Sequence, residues 1–290
     1  MNRPLTPCNH GHGGPAATAI ASVDRIARQV HLDATDAAVI KDSNNTIVLL
    51  PLEQLVAKVS TSVLPGRDRT ALERELRIGV HVAAHGAKVA RPADPAVAGP
   101  HRIGEAVLTF WQYHHPQTPP SDQAELGRAV RGFHSALAEL AGGLPTLADK
   151  IDHAAELFDD PDQTPGLTDQ DRGIAAQAEP RIRELFDQLE PDTALHGEPH
   201  DGNVIWTSDG PLLIDFEASC TGPLEWDLAY LPDEARERFP DLDDALIERL
   251  RAVVSYCVAA WCWAQPKRSP EVDAAAKHHL AQVRRSWLAA

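Results

Sequence analysis

Residues 195–203 read LHGEPHDGN, and residues 214–217 read IDFE. Together these two stretches offer two carboxylates, Glu198 and Asp215, and one side-chain amide, Asn203. All three groups lie at predicted loop or strand ends, where polar side chains can converge without being buried in a core. The two stretches are therefore the first place to look for a site.

The eleven residues that follow Asn203, VIWTSDGPLLI, predict a β-hairpin. Two short apolar runs flank Thr-Ser-Asp-Gly, a composition typical of turns. The strands then pair Trp206 with Pro211. This register sets Asn203 beside Asp215 at the open end, since cross-strand neighbours are roughly 5 Å apart. An amide oxygen and a carboxylate at that separation suit Mg²⁺, which prefers oxygen ligands and substrate phosphates.

The order of these groups is a histidine, an acid two residues later, an asparagine five residues after the acid, and then Asp-Phe. Protein kinases arrange their catalytic loop and metal-binding aspartate in this order. The variant HGEPHDGN, with Gly-Pro at 222–223 and WDLA at 226–229, more closely resembles the aminoglycoside phosphotransferase family of kinase-like enzymes. There is no Ala-Pro-Glu segment after Asp215 and no recognisable activation loop, which disfavours a protein kinase.

Composition and charge narrow the class of protein. The chain has 290 residues, 43% of them hydrophobic, enough for a large core in one domain or two lobes. Its net charge is −15, with an excess of acidic residues after residue 113. The negative charge of this C-terminal part repels nucleic acid and anionic membranes and attracts cationic ligands. An acidic surface that only keeps the protein soluble explains the charge equally well.

The cysteines and the hydropathy of the chain predict its cellular location. The four cysteines are scattered without paired ligand spacing, which is typical of reduced thiols in a cytoplasmic protein. No apolar stretch approaches the ~20 residues of a membrane span. The N-terminus lacks the basic and apolar regions of a signal peptide.

The first part of the chain predicts a flexible tail over 1–18, a helix over 19–30, and two strands around the turn at 42–46. By the family resemblance, Ser43, Asn44 and Asn45 form the loop that covers the nucleotide phosphates. The residues alone fit an ordinary hairpin turn equally well.

Lys58 lies among apolar residues of a predicted strand, and a buried ammonium is costly unless it is paired. The next element is a helix opened by a capping-box pattern from Thr70 to Glu73. Because the cap would occupy Glu73, Glu75 is the expected partner. Kinase-like folds need such a Lys–Glu pair to position phosphates; a solvent-directed lysine is the alternative.

Residues 106–113 predict another strand that ends at Gln112 and Tyr113. By resemblance this is the hinge between lobes, where main-chain groups meet adenine, although any buried strand contains such aromatics. Helices are expected over 121–142, 173–189, 233–265 and 270–288, with 144–172 acidic and irregular.

The order of these elements predicts an α+β fold in two lobes. The family resemblance implies that this fold is protein-kinase-like, with a small β-rich N-terminal lobe and a larger, mainly helical C-terminal lobe. The expected limits are 1–18 for the tail, 19–113 for the nucleotide-binding lobe, and 114–290 for the catalytic and acceptor-binding lobe. The resemblance implies that ATP binds between the lobes.

The resemblance assigns Lys58 to the phosphates, Asn203 and Asp215 to Mg²⁺, and Glu198 to the acceptor hydroxyl. The family usually has aspartate at the position of Glu198. Glutamate is one methylene longer, and a misplacement of about 1 Å can cost on the order of a hundredfold in rate. Either the backbone is set back and catalysis survives, or the domain binds nucleotide with little turnover.

The leading hypothesis is thus an ATP-dependent phosphotransferase acting on a small-molecule hydroxyl, with a cationic aminoglycoside or amino sugar as the first guess for the acceptor. The alternative is a pseudokinase-like regulatory module that binds nucleotide. Two roles remain for Glu217, either contact with a second metal ion or a position at the surface.

Overall fold

The computed structural model of the protein describes residues 15–43, 45–60, 70–140, 143–189, 193–240, 242–265 and 269–288. These residues divide into two compact units. The first unit contains the described residues within 15–60, 70–140 and 201–217, and the second contains those within 143–200 and 218–288. The first unit is therefore built from two separate parts of the chain.

A five-stranded antiparallel sheet forms one layer of the first unit, in the order β1-β2-β3-β5-β4. Its strands are β1 (Ala38–Asp42), β2 (Thr46–Leu50), β3 (Leu55–Val59), β4 (His101–Ile103) and β5 (Ala106–Gln112). Alternate residues of β2 are buried. The helix α1 (Pro15–Gln29) lies against the sheet and begins four residues earlier than expected. Proline is well suited to the first turn of a helix, where its missing N–H has no partner to lose.

Two helices and a hairpin complete the first unit. They are α2 (Ala71–Ala84), α3 (Ala124–Leu137), β7 (Val204–Thr207) and β8 (Gly210–Leu213). The helix α3 packs on both α2 and β8. The ring of Phe133 on α3 lies 5.2 Å from that of Phe216, which follows the hairpin. The segment 201–217, which is distant in sequence, thus packs onto the rest of the first unit through this aromatic contact.

The second unit is mainly helical, with one short pair of strands. Its elements are α4 (Leu147–Asp159), α5 (Asp169–Phe186), β6 (Thr193–Leu195), β9 (Cys220–Gly222), α6 (Glu225–Leu228), α7 (Asp233–Arg236), α8 (Asp244–Trp263) and α9 (Pro270–Leu288). Its core includes Phe158, Trp226 and Tyr256, each at most 2% exposed. The helix α8 contributes Tyr256, Cys257 and Trp263 to this core.

The helix α4 corrects the expectation that 144–172 is irregular. Thr146 and Asp149 form a reciprocal capping box at its start, and its apolar residues repeat at helical spacing. The capping box expected at Thr70 is absent, since that side chain makes no cap hydrogen bond. The helix predicted over 121–142 is shorter in the structure, where it runs from Ala124 to Leu137.

The arrangement confirms the α+β class. Helix α3 and the β7–β8 hairpin belong to the first compact unit, whereas the lobe boundary at 113/114 stays a prediction. Nowhere in the described part of the chain is there a helix with the length and apolar character needed to cross a membrane.

Two glycines in helices predict opposite effects on stability. A Cβ on Gly79 would lie 2.6 Å from a ring carbon of the buried Trp111, whereas one on Gly132 would meet nothing within 4 Å. We expect Gly79→Ala to lower the free energy of unfolding by about 1–3 kcal/mol through overpacking. Gly132→Ala should raise it by about 0.5–1 kcal/mol, because alanine favours the helix. Urea unfolding of both variants measures this, and a Gly79→Ala protein at least as stable as the wild type would contradict the packing.

Candidate functional site

The β7–β8 hairpin has the register expected from its turn. Trp206 pairs with Pro211, and the N–H of Ile214 donates to the carbonyl oxygen of Asn203 at 3.0 Å. Asn203, which immediately precedes β7, therefore lies opposite Ile214, the residue before Asp215. Asp215 itself has φ +67°, a left-handed conformation that aspartate tolerates better than most residues. Its side chain remains 38% exposed.

Lys58 lies in the middle of the sheet, on β3, and its ammonium meets three carboxylates. Nζ lies 2.8 and 2.9 Å from the two oxygens of Glu75, 2.9 Å from Asp215 and 2.7 Å from Glu217. The Lys58 side chain is 9% exposed and that of Glu75 3%. We call Lys58, Glu75, Asp215 and Glu217 the lysine cluster. It joins β3, α2 and the end of the hairpin.

Glu75 rather than Glu73 is the partner on α2, although not for the expected reason. Glu73 forms an ion pair with Arg102 on β4 instead of occupying a helix cap. Glu75 faces inward, and one of its oxygens also accepts the backbone N–H of Phe216 at 3.3 Å. A single carboxylate thus holds the lysine and the residue after Asp215.

The lysine cluster carries an excess of negative charge. Burial alone would lower the pKa of the Lys58 ammonium, but Glu75, Asp215 and Glu217 outweigh burial and raise it. Burial raises the pKa of the Glu75 carboxyl; Lys58 opposes this shift, and the other two acids add to it. Three carboxylates around one ammonium leave two negative charges to be offset by protons or a cation.

Oxygen atoms of the three acids also meet the spacing of a metal site. One atom each from Glu75, Asp215 and Glu217 lie within 4.8 Å of one another. Carboxylate oxygens are the ligands that Mg²⁺ prefers, and excess negative charge favours a divalent ion. The residues present therefore fit such an ion. The sequence pointed to Asp215 but left Glu217 open.

The turn between β1 and β2 lies at the same cluster. The Asn45 side-chain amide donates to Glu217 at 2.5 Å, while its oxygen is buried with no hydrogen-bond partner. The Ser43 N–H donates to the carbonyl oxygen of Asn45 at 3.2 Å. Asn44 lies outside the described residues. Asn45 thus reaches inward to an acid, which the turn composition did not indicate.

At the end of β5, the main-chain N–H groups of Gln112 and Tyr113 have hydrogen-bond partners within the protein. The N–H of Gln112 donates to the carbonyl oxygen of Arg91, and that of Tyr113 to the carbonyl oxygen of Gln54, both at 2.9 Å. A ligand contacting the main chain of Gln112 and Tyr113 would therefore use their carbonyl oxygens.

In the second unit, Asp227 fixes the loop before Glu198. Its two carboxylate oxygens accept the N–H groups of His196 and Gly197, each at 2.8 Å. The indole N–H of Trp226 donates to the carbonyl oxygen of Gly197 at 2.7 Å. Gly197 has φ +93°, and a Cβ there would lie 2.1 Å from the carbonyl oxygen of Ala218. Only glycine fits this backbone.

Glu198 pairs with Lys150 of α4. The Lys150 ammonium lies 3.0 Å from a Glu198 oxygen, 5.3 Å from the ring centre of Trp261 and 5.8 Å from that of Trp226. Burial would lower the pKa of Lys150, but the charge of Glu198 outweighs it and the pKa is raised. Sequence reasoning missed Lys150 because it falls in the stretch taken as irregular.

Removing the cation of the lysine cluster should make stability depend on pH. Lys58→Met leaves the acids without their ammonium, and breaking a buried ion pair costs about 3–5 kcal/mol. The Lys58 charge opposes the burial that raises the pKa of Glu75, so its removal raises that pKa further, and the folded variant depends more strongly on this proton than the folded wild type does. The loss relative to wild type should therefore be larger at pH 8 than at pH 5.5, as measured by thermal unfolding.

Lys41→Met is the matched control for this experiment, because Lys41 is exposed on β1. It should change the melting temperature little at either pH. A deficit of Lys58→Met that is the same at both pH values would contradict the described charge excess.

Comparison with known proteins identifies the family. The chain resembles an amicoumacin kinase solved with AMP-PNP and Ca²⁺ (TM-score 0.70, 13% identity, covering 92% of this chain and 95% of that one). It also resembles a choline/ethanolamine kinase family protein from Mesorhizobium loti (TM-score 0.65, 16% identity, covering 95% of this chain and 96% of that one). A third similar structure is a spectinomycin phosphotransferase solved with ADP (TM-score 0.64, 13% identity, covering 92% of this chain and 97% of that one). These likenesses confirm the kinase-like fold. The model of the phosphotransferase enzyme family, APH, matches residues 29–275, and the chain belongs to that family.

Proposed function

We propose that this chain transfers the γ-phosphate of ATP, in the presence of Mg²⁺, to a hydroxyl of a small molecule. Family membership makes it a small-molecule phosphotransferase. The observation that carries the finer proposal is the lysine cluster, in which a buried ammonium is joined by an excess of carboxylates. Phosphoryl transfer needs this combination of a cation for the phosphates and acids for a metal.

The acids divide between two tasks in this proposal. Asp215, the most exposed acid of the cluster, and Asn203 would hold the metal, with Glu217 as a further carboxylate nearby. When bound, Mg²⁺ neutralises charge on the transferring phosphoryl group. Glu75 is almost completely buried and keeps Lys58 directed toward Asp215.

The nucleotide is proposed to contact three parts of the first unit. Lys58 binds its phosphates, and the β1–β2 turn with Ser43, Asn44 and Asn45 covers them. Gln112 and Tyr113 meet the adenine through carbonyl oxygens, which can accept from its amino group, because their N–H groups are already used.

Glu198 is proposed to accept the proton of the acceptor hydroxyl. The bond between the γ-phosphorus and its bridging oxygen breaks while the acceptor oxygen forms a new one. Lys150 holds the Glu198 carboxylate at 3.0 Å, and Asp227 fixes the backbone that carries it. The pairing supports activity in spite of the longer side chain, because a glutamate tethered at its end has few alternative rotamers.

The acceptor is proposed to carry an amine, as do aminoglycosides and amino sugars. The acidic C-terminal half attracts cations, and the structural neighbours include a spectinomycin phosphotransferase and a choline/ethanolamine kinase family protein. Lys150 already occupies the indole faces beside Glu198. The cationic group of the acceptor would therefore lie away from Glu198. The free, buried thiols Cys220 and Cys257 agree with a cytoplasmic location.

Replacing Glu198 tests the reaction itself. With Mg²⁺-ATP and a panel of aminoglycosides and amino sugars, wild type should form ADP and phosphorylated product. Glu198→Ala should lose on the order of a hundredfold or more in rate, because general base catalysis typically contributes that much. Calorimetry should give the same Kd for Mg²⁺-ATP in both proteins. If both bind Mg²⁺-ATP and neither transfers phosphate to any acceptor, the nucleotide-binding module is the better description.

Lys150 provides a second, independent test as a positioning residue. Lys150→Met frees the Glu198 side chain, and a 1 Å displacement costs about a hundredfold. We expect kcat to fall by about ten- to a hundredfold with KM for ATP unchanged, and Lys150→Arg to restore part of the loss. Lys277→Met, which removes an exposed lysine of the same unit, is the control. An equal rise in KM for ATP would contradict the assignment.

A further inference from the structure

A cavity of about 390 Å³ lies in the first unit, apart from the lysine cluster. Three segments line it: residues 87–91, which follow α2, residues 113–117, which follow β5, and residues 207–212 of the β7–β8 hairpin. None of the four members of the lysine cluster is in the lining. The volume is within the range of small-molecule sites.

Backbone hydrogen bonds tie these segments to one another. Leu213 of the hairpin both donates its N–H to the carbonyl oxygen of Lys88, at 2.9 Å, and accepts the N–H of Ala90, at 3.0 Å. The N–H of Gln117 donates to the carbonyl oxygen of Trp206 at 2.7 Å. The cavity is therefore bounded by a connected framework rather than by independent loops.

The charges in the lining are unbalanced. Its ionisable and polar side chains include Lys88, Arg91, His114, His115, Gln117 and Asp209. Lys88 and Arg91 form no ion pair within the described part of the chain. Asp209 is the only acid among the twelve residues that line the cavity. A concave surface with excess positive charge raises the local concentration of anions.

His114 adds a polar group without a partner. Its ring Nε2 is buried and makes no hydrogen bond. Burial, and then the positive charge of Arg91, lower the pKa of His114 below its ordinary value and so favour the neutral ring. A buried ring nitrogen without a partner is costly, and a bound ligand with a protonated or acceptor oxygen would satisfy it. Arg91 and His114 thus both line the cavity, whose lining has Asp209 as its one acid.

We propose that this cavity binds a phosphorylated small molecule. The guanidinium of Arg91 suits two oxygens of one phosphate, and Lys88 supplies a second positive charge. The cavity is larger than a phosphate group requires, and Tyr113 and Leu212 offer apolar surface for the rest of the ligand. This site shares Tyr113 with the proposed adenine contacts but none of the groups proposed to bind the phosphates or the metal, and ligand binding here does not require nucleotide turnover.

Calorimetry with phenyl phosphate tests the site in the full chain, without nucleotide or acceptor. We expect phenyl phosphate to bind, inorganic phosphate to bind more weakly, and neutral benzyl alcohol not to bind. The double variant Lys88→Gln/Arg91→Gln should raise the Kd of phenyl phosphate about tenfold or more. Asp209→Asn should lower it, since the variant removes the acid of the lining.

The control double variant Arg128→Gln/Lys277→Gln removes the same charge from exposed positions on α3 and α9. It should leave the Kd within about twofold of wild type. Absence of binding at millimolar phenyl phosphate would overturn the proposal. So would equal losses in both double variants, which would mean a general charge effect or binding at the lysine cluster.

Discussion

The first unit depends on the cost of burying one ammonium. Lys58 sits in the centre of the sheet, where an unpaired charge would be far too costly to keep. Its acidic partners come from α2 and from the segment that follows the β7–β8 hairpin, and one of them, Glu217, also accepts a hydrogen bond from Asn45 of the β1–β2 turn. One electrostatic requirement therefore sets the relative positions of the elements that carry the proposed nucleotide and metal ligands.

The lysine cluster has more carboxylates than are needed to neutralise its ammonium. A pair of Lys58 and Glu75 alone would be neutral and complete. The additional carboxylates of Asp215 and Glu217 make the cluster electrically incomplete and suited to a divalent cation. In the second unit the balance differs, since Glu198 is neutralised by Lys150, whose ammonium also lies over two indole rings. The first unit thus has a cluster with excess negative charge that favours a cation, and the second has a neutral Glu198–Lys150 ion pair.

Sequence reasoning reached the features that have local or chemical rules. The turn composition predicted the hairpin register, and the cost of burial predicted an acidic partner for Lys58 on α2, although Glu75 was chosen on the basis of a helix cap that is absent. It failed where the deciding contact is distant. The inward turn of Asn45 onto Glu217 spans 172 residues, and the Lys150–Glu198 pair spans 48. The helix α4 is a different case, because Thr146 and Asp149 carried a readable capping box that the acidic composition obscured.

The split of the first unit between residues 15–140 and 201–217 affects how the chain folds during synthesis. Protein chains fold from the N-terminus as they leave the ribosome, at about 5–20 residues per second. The five-stranded sheet emerges early, but its buried lysine has only Glu75 until Asp215 and Glu217 have been translated. The nascent sheet therefore carries only the neutral Lys58–Glu75 pair for several seconds or more, and it gains the excess negative charge of the complete lysine cluster after the intervening helices have been made.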